Sequence, residues 1–329
     1  ILLGMSMILL LFCRQGEFRK LLNHPLLKKG GLFILFLFYL TGTMQAQQTP
    51  LRVLNKIQAD SLAQQQVIYH DRVVPFNTLA RDFVKKLTGK IYYKGLTPEQ
   101  VISGWILYPD SWKNEPMIYI KSPELHHLLG LESSYARLTD LFDGPVYRLQ
   151  KTWQQEQGKS SKLAKAIQET DEKVGLILMV EKGTFIHPLP TDGSVQPLSE
   201  LEVKAELLYN RIPFSKILFM INLSLGVLSF MLLLHNSLQR NTPSPKAKTI
   251  SRTAGTIFSV ALYLAFIFHL AGYCLRWYIG GRVPLSNGYE TMQFMALCIL
   301  LIACLLHRRF SFILPFGFLL SGFALLVSY

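Results

Sequence analysis

The residue types best suited to chemistry crowd one polar stretch between two apolar segments, Arg276-Trp-Tyr-Ile-Gly-Gly-Arg-Val-Pro-Leu-Ser-Asn-Gly-Tyr-Glu290. Two arginines, Arg276 and Arg282, stand among Trp277, Asn287, Tyr289 and Glu290. A guanidinium fork binds carboxylates through two parallel hydrogen bonds, so arginines beside aromatic rings suit an anionic partner. A purely structural account covers the other residues. Gly280 and Gly281 permit a sharp turn, and Pro284 stiffens the return. Asn287 and Glu290, three apart, form a capping-box-like helix start in which each satisfies an orphan backbone donor. Trp277, Tyr278 and Tyr289 suit the aromatic belt of a membrane interface. The arginines are left over. His269 is an ionisable group well inside an apolar segment and is a functional candidate by position. Its alternative is a hydrogen bond to a neighbouring helix, with Tyr273 one turn away.

Other chemistries find less support. His126-His127 and His187 have no Asp or Glu at a metal-binding spacing, and an adjacent pair on a strand points to opposite faces. No metal site is expected from them. His235 and His307 fall at helix ends, where an imidazole needs no further role. Cys13, Cys274, Cys298 and Cys304 all lie in or beside apolar segments and form no Cys-x-x-Cys pair, so neither a disulfide framework nor a dithiol redox centre is expected. Nucleophile-elbow, phosphate-loop and dinucleotide signatures do not occur.

These residues must be held by the apolar segments, which fall at 1–12, 31–46, 214–235, 253–279, 291–306 and 310–329. A spanning helix needs roughly 20 largely apolar residues; 214–235 and 253–279 meet this easily, while 31–46 and 291–306 are short. The net charge of +13 invites a nucleic-acid reading, but residues 47–213 carry 20 Lys and Arg against 19 Asp and Glu. The excess sits in the short connections 13–30, 236–252 and 307–309, which strict alternation of six spans would put on one face. Basic residues in short loops resist translocation and mark the cytoplasmic side.

The expected architecture is a polytopic α-helical membrane protein with an inserted mixed α/β extracytoplasmic domain. Its parts are a truncated helix at 1–12, a basic cytoplasmic loop at 13–30, a helix at 31–46 and the outer domain at 47–213. A helix at 214–235, a cytoplasmic loop at 236–252 and a membrane unit at 253–329 come next, with helices 253–279, 291–306 and 310–329. The bilayer is the bacterial inner membrane, 47–213 faces the periplasm, membrane lipid is a partner, and nucleic acid is not. Both termini fall inside apolar runs, the mark of a piece of a longer protein. A rival reading makes 1–46 a signal peptide ending at Thr43-Met-Gln-Ala46; the apolar segment ahead of the basic stretch favours a span.

Within the outer domain, Gln65-Gln-Val-Ile-Tyr69 reads as a strand turning at His70-Asp-Arg72. Asn77 or Thr78 caps a helix bearing Leu79, Phe83 and Leu87 on one face, stopped by Gly89. Arg81, Lys85 and Lys86 lie opposite, on a solvated face. Residues 97–108 form a second helix, 117–120 and 174–180 strands, 151–172 an exposed helix or hinge, and 200–209 a helix running into the membrane.

The run ending Pro284-Leu-Ser286-Asn287-Gly-Tyr289-Glu290 resembles the loop that opens a membrane helix in CcsA-type cytochrome c biogenesis proteins. Val73-Val-Pro-Phe-Asn-Thr-Leu-Ala-Arg81 and Ala205-Glu-Leu-Leu-Tyr-Asn-Arg211 resemble segments of fused ResB–CcsA, System II cytochrome c synthases. The resemblance covers most of 65–329 and implies the end of a ResB-like part followed by the start of a CcsA-like part. It implies haem as cofactor, apocytochrome c as partner, thiol-reducing proteins of the envelope as further partners, and attachment of haem to Cys-x-x-Cys-His motifs on the outer face. It also implies haem-facing roles for Arg276, Trp277, Arg282, Asn287, Tyr289 and Glu290 but transfers haem ligation to no histidine; His269 is a candidate axial ligand only through its depth in the span. The family's tryptophan-rich loop is absent, since the only tryptophans are Trp105, Trp112, Trp153 and Trp277. The catalytic centre of such a synthase would therefore lie outside this sequence. Two other classes share the layout: a permease subunit with a large periplasmic domain, and a structural anchor for an envelope complex.

Overall fold

The computed structural model describes residues 51–156, 161–238, 245–310 and 312–328. The chain divides into two compact units after Leu51, and the second, Arg52–Tyr329, contains every helix and strand of the described residues. The segments 1–12, 13–30 and 31–46 and most of the 236–244 connection lie outside the described residues.

The fold is mostly helical, with three small sheets. It begins with α1 (Lys56–Ala63) and a hairpin of β1 (Gln66–Tyr69) and β2 (Arg72–Pro75). His70 and Asp71 both take positive φ (49° and 58°), the turn that matches strand twist. Helix α2 (Phe76–Thr88) comes directly after. Its Leu79, Ala80, Phe83, Val84 and Leu87 are fully buried at helical spacing, and Gly89 ends it in the left-handed conformation (φ 72°). Asn77 and Thr78 do not cap it, contrary to expectation. Pro75 holds that position without a side-chain hydrogen bond, and the two polar residues are used elsewhere.

Helix α3 (Pro98–Leu107) starts at a Thr97/Gln100 capping box, and α4 (Pro109–Trp112) turns Trp112 back over it. A Cβ on Gly104 would overlap the Trp112 indole, so these two helices touch only because that position is glycine. Two further pairs, β3 (Ile118–Tyr119) with β4 (Tyr135–Ala136) and β5 (Phe142–Asp143) with β6 (Val146–Tyr147), flank α5 (Pro123–Leu129). His126 and His127 are therefore on a helix, where His126 Nε2 bonds the Ile120 carbonyl at 2.8 Å.

After α6 (Gln150–Glu156), α7 (Lys162–Glu181) replaces the strand expected at 174–180. Ala164, Ile167, Thr170, Val174, Ile177 and Val180 are its buried residues, three or four apart, so the apolar run continues one helical face begun upstream. Strand β7 (His187–Pro188) adds to β1, giving the order β2-β1-β7, and α8 (Glu200–Arg211) begins at a Ser199/Glu202 capping box.

Four apolar helices complete the unit: α9 (Phe214–Leu238), α10 (Pro245–Gly280), α11 (Gly288–Leu306) and α12 (Ile313–Ser328). Among the described residues three stretches are long and apolar enough to cross a membrane, Phe214–Leu238, Ser251–Gly280 and Gly288–Leu306; α12 is shorter. Each of the three runs past or starts before its expected limits, because caps and neighbours extend helix into polar sequence. Exposed Leu, Ile and Phe cover the outside, among them Ile257, Leu264, Leu305 and Val327, which suits lipid as solvent. Small residues bring the helices together. A Cβ on Gly226 of α9 would sit 2.8 Å from the Leu319 side chain of α12, and one on Gly322 would sit 2.9 Å from Leu223. Asn222 Nδ2 donates to Ser321 Oγ at 3.0 Å across the same interface.

Candidate functional site

The 276–290 loop joins α10 to α11, and its residues divide into a locked group and an open group. Glu290, in the first turn of α11, is 3% exposed and holds the locked group together. Its Oε1 accepts from Arg276 Nη2 at 3.0 Å and Nε at 3.3 Å. Its Oε2 accepts from the Ser286 amide at 3.0 Å and hydroxyl at 2.8 Å. Asn287 caps the helix by accepting from the Glu290 amide at 2.9 Å. The capping box forms in half, with Glu290 reaching back to Ser286 instead of Asn287. Tyr273 donates to the Pro284 carbonyl at 3.2 Å, tying the loop down at its proline. A buried carboxylate needs this many partners, since an unpaired one would be strongly disfavoured.

A second chain of hydrogen bonds runs beneath. His269 Nε2 meets the Gln293 carbonyl at 2.8 Å, so the imidazole bonds a neighbouring helix. Gln293 Nε2 donates to Ser215 Oγ at 2.7 Å and Ser328 Oγ at 2.9 Å, linking α9, α11 and α12. Ser215 Oγ lies 3.1 Å from the Tyr289 hydroxyl, which lies 3.1 Å from that of Tyr209 on α8. Burial, then the neighbouring Tyr289, raise the Tyr209 phenol above its ordinary range, so it stays protonated and able to donate. The void enclosed by Tyr209, Phe214, His269, Tyr273, Arg276 and Gln293 is about 10 Å³, room for about one water.

The path continues into the elements that precede α9. Glu206 of α8, 3% exposed, accepts from Arg72 Nη2 at 2.9 Å and Thr78 Oγ1 at 2.8 Å. Asn210 Nδ2 donates to Asn77 Oδ1 at 3.1 Å and Thr78 Oγ1 at 2.9 Å, and Asn77 bonds Glu99. The stretches 73–81 and 205–211 thus meet at one polar junction, and Tyr209 carries it to the loop.

The open group is Trp277, Tyr278 and Arg282. The two rings are 47% and 50% exposed. Arg282 is exposed, and among the described residues its guanidinium has no carboxylate partner. The void beside His269 is far smaller than a haem, while the two rings and Arg282 lie open to the outside of the loop. Among the described residues no three His, Cys, Asp or Glu side chains converge to hold a metal ion.

Ser215 and Gln293 carry no role in the sequence reading, and Tyr209 and Ser286 enter it only as members of quoted motifs. Gln293 carried a usable signal, an amide early in an apolar helix; Ser286 bonds Glu290 four residues on, while Tyr209 and Ser215 gain meaning only from partners distant in sequence.

Compared with known proteins, the chain matches no family model. It is similar to Protein NrfI of Wolinella succinogenes, with 25% identity over 352 aligned residues. The match takes in 86% of this chain and 38% of NrfI, so the chain spans well under half the length of that relative.

Proposed function

We propose that this chain is a membrane component of cytochrome c maturation that presents haem to apocytochrome c at the 276–290 loop. The observation that carries the reading is the continuous contact path through the three stretches resembling System II synthases: 73–81 meets 205–211 at Glu206 and Asn210, and Tyr209 meets the loop at Tyr289. The similarity to NrfI over most of the chain supports the same assignment at the level of cytochrome c biogenesis.

In this reading the loop and residues 47–213 face the periplasm of a bacterial inner membrane, and the ResB-like and CcsA-like parts meet in one chain. Arg282 pairs with a haem propionate, and Trp277 offers a ring face. Arg276, Asn287, Tyr289 and Glu290 hold that face in position, and His269 braces α10 against α11. Bound haem supplies the vinyl groups to which the cysteine thiols of an apocytochrome add. The protein's contribution is orientation, which turns an encounter of two molecules into a reaction between held groups. Thiol-reducing proteins of the envelope keep those cysteines available.

Purification of the full-length protein from haem-replete cells tests the reading. Haem absorbance that weakens in Arg282→Glu supports it; a preparation that stays haem-free contradicts it.

A further inference from the structure

The helix ends opposite the 276–290 loop carry cations that meet no carboxylate among the described residues. From residue 207 onward the sequence contains a single acid, Glu290, and it is committed to Arg276 at the other end of α11. Arg252 of α10 and Arg308, just past α11, line one cleft, and among the described residues neither guanidinium meets a carboxylate. The cleft has a volume of about 440 Å³, within the size of small-ligand sites.

Its lining changes character with depth. Asn236, which donates to Ser251 Oγ at 2.7 Å, is polar lining at the helix ends. Leu232 and Phe258 are apolar lining further along the spans, and Leu314 adds apolar lining at the start of α12. A second hollow shares Arg252 and Thr256 and continues over Ile257 and Val260, which are 62% and 53% exposed. Arg252, Thr256 and Val260 recur every four residues, so one face of α10 runs from a charge to a bare apolar strip. His307 Nδ1 donates to the Ala303 and Cys304 carbonyls at 3.2 and 3.1 Å, closing the helix that ends beside Arg308.

We infer that this cleft binds an anionic phospholipid of the bilayer, its phosphate facing Arg252 and Arg308 and an acyl chain lying along Ile257 and Val260. A soluble anion would satisfy the arginines and leave the apolar strip uncovered. A zwitterionic lipid would cover the strip and leave the two positive charges uncompensated. Only a molecule with both properties matches the order in which they occur along α10. The site is separate from the haem-facing loop and stands or falls independently of it.

Native mass spectrometry of the full chain in neutral detergent, with dioleoyl phosphatidylglycerol or dioleoyl phosphatidylcholine added at equal concentration, tests the inference. Phosphatidylglycerol is retained preferentially, and Arg252→Gln with Arg308→Gln weakens retention by about fivefold per arginine. The Arg252→Lys, Arg308→Lys pair keeps most of it, which separates charge from folding. In the unaltered chain, raising salt from roughly 0.1 to 1 M weakens retention by screening. Equal retention of both lipids, indifference to the glutamine pair in a folded protein, or displacement of the lipid by inorganic phosphate alone would overturn it.

Discussion

The hydroxyls of Tyr209 and Tyr289 lie 3.1 Å apart, although 80 residues separate them in the chain. This contact couples α8, the last helix before the apolar helices, to the first turn of α11. Removing either hydroxyl leaves the rings in place and breaks the bond. Tyr209→Phe and Tyr289→Phe should each lower stability by about 1 kcal/mol, and the double variant should cost less than the sum. Thermal unfolding of the detergent-purified variants checks this; strict additivity would show that the hydroxyls are not coupled.

The Arg276–Glu290 pair makes an asymmetric prediction. Arg276→Ala strands a carboxylate that is 4% exposed, whereas Glu290→Gln removes the charge and retains a hydrogen-bonding shape. The arginine itself is 32% exposed, so the loss falls between surface and buried cases, about 2 kcal/mol for Arg276→Ala and less for Glu290→Gln. Melting temperatures in detergent would show the order. A larger effect from Glu290→Gln would mean that the carboxylate is not held as described.

Gly226 and Gly322 let α9 and α12 approach closely. Gly322→Leu should destabilise by about 1–3 kcal/mol through overpacking, since even the first added carbon falls 3.0 Å from the Leu223 backbone nitrogen. Protease resistance of the membrane fraction measures this. Unaltered resistance would place the two helices further apart.

Much of this arrangement was legible in residue types alone. The turn at His70-Asp71, the apolar stripe of α2 and its stop at Gly89 are local events written in local sequence. The apolar helices from Phe214 onward were legible for the same reason. The helix through Val174 and Val180 was misread as strand because a short apolar run has no period of its own; the deciding residues, Ala164, Ile167 and Thr170, lie upstream. Asn77 and Thr78 looked like caps because caps and tertiary hydrogen bonds use the same side chains, and only Asn210 and Glu206 show which applies. At the candidate site the sequence singles out the loop residues but does not show how they divide. Arg276 and Arg282 are alike in sequence, and the difference between them is the carboxylate that one meets and the other does not.

Alkaline pH should loosen the part of the chain before α9. Burial, then the carboxylates Asp82, Glu115 and Asp171, raise the phenols of Tyr69, Tyr93 and Tyr147 above their ordinary range. A raised folded-state pKa favours the neutral phenol. Its stabilisation is fully present below the unfolded value near 10 and is lost as pH climbs beyond it. Unfolding temperature should fall above pH about 10, and replacing Tyr93 with Phe should flatten part of that decline. A flat profile would mean that these phenols are exposed.

Haem-stained gels of membrane fractions from cells lacking the complete gene test the central claim most directly. The account predicts that at least one c-type cytochrome loses its covalently bound haem while its apoprotein is still made, and that restoring the gene returns the stain. Full staining of every c-type cytochrome in the deletion strain would contradict it.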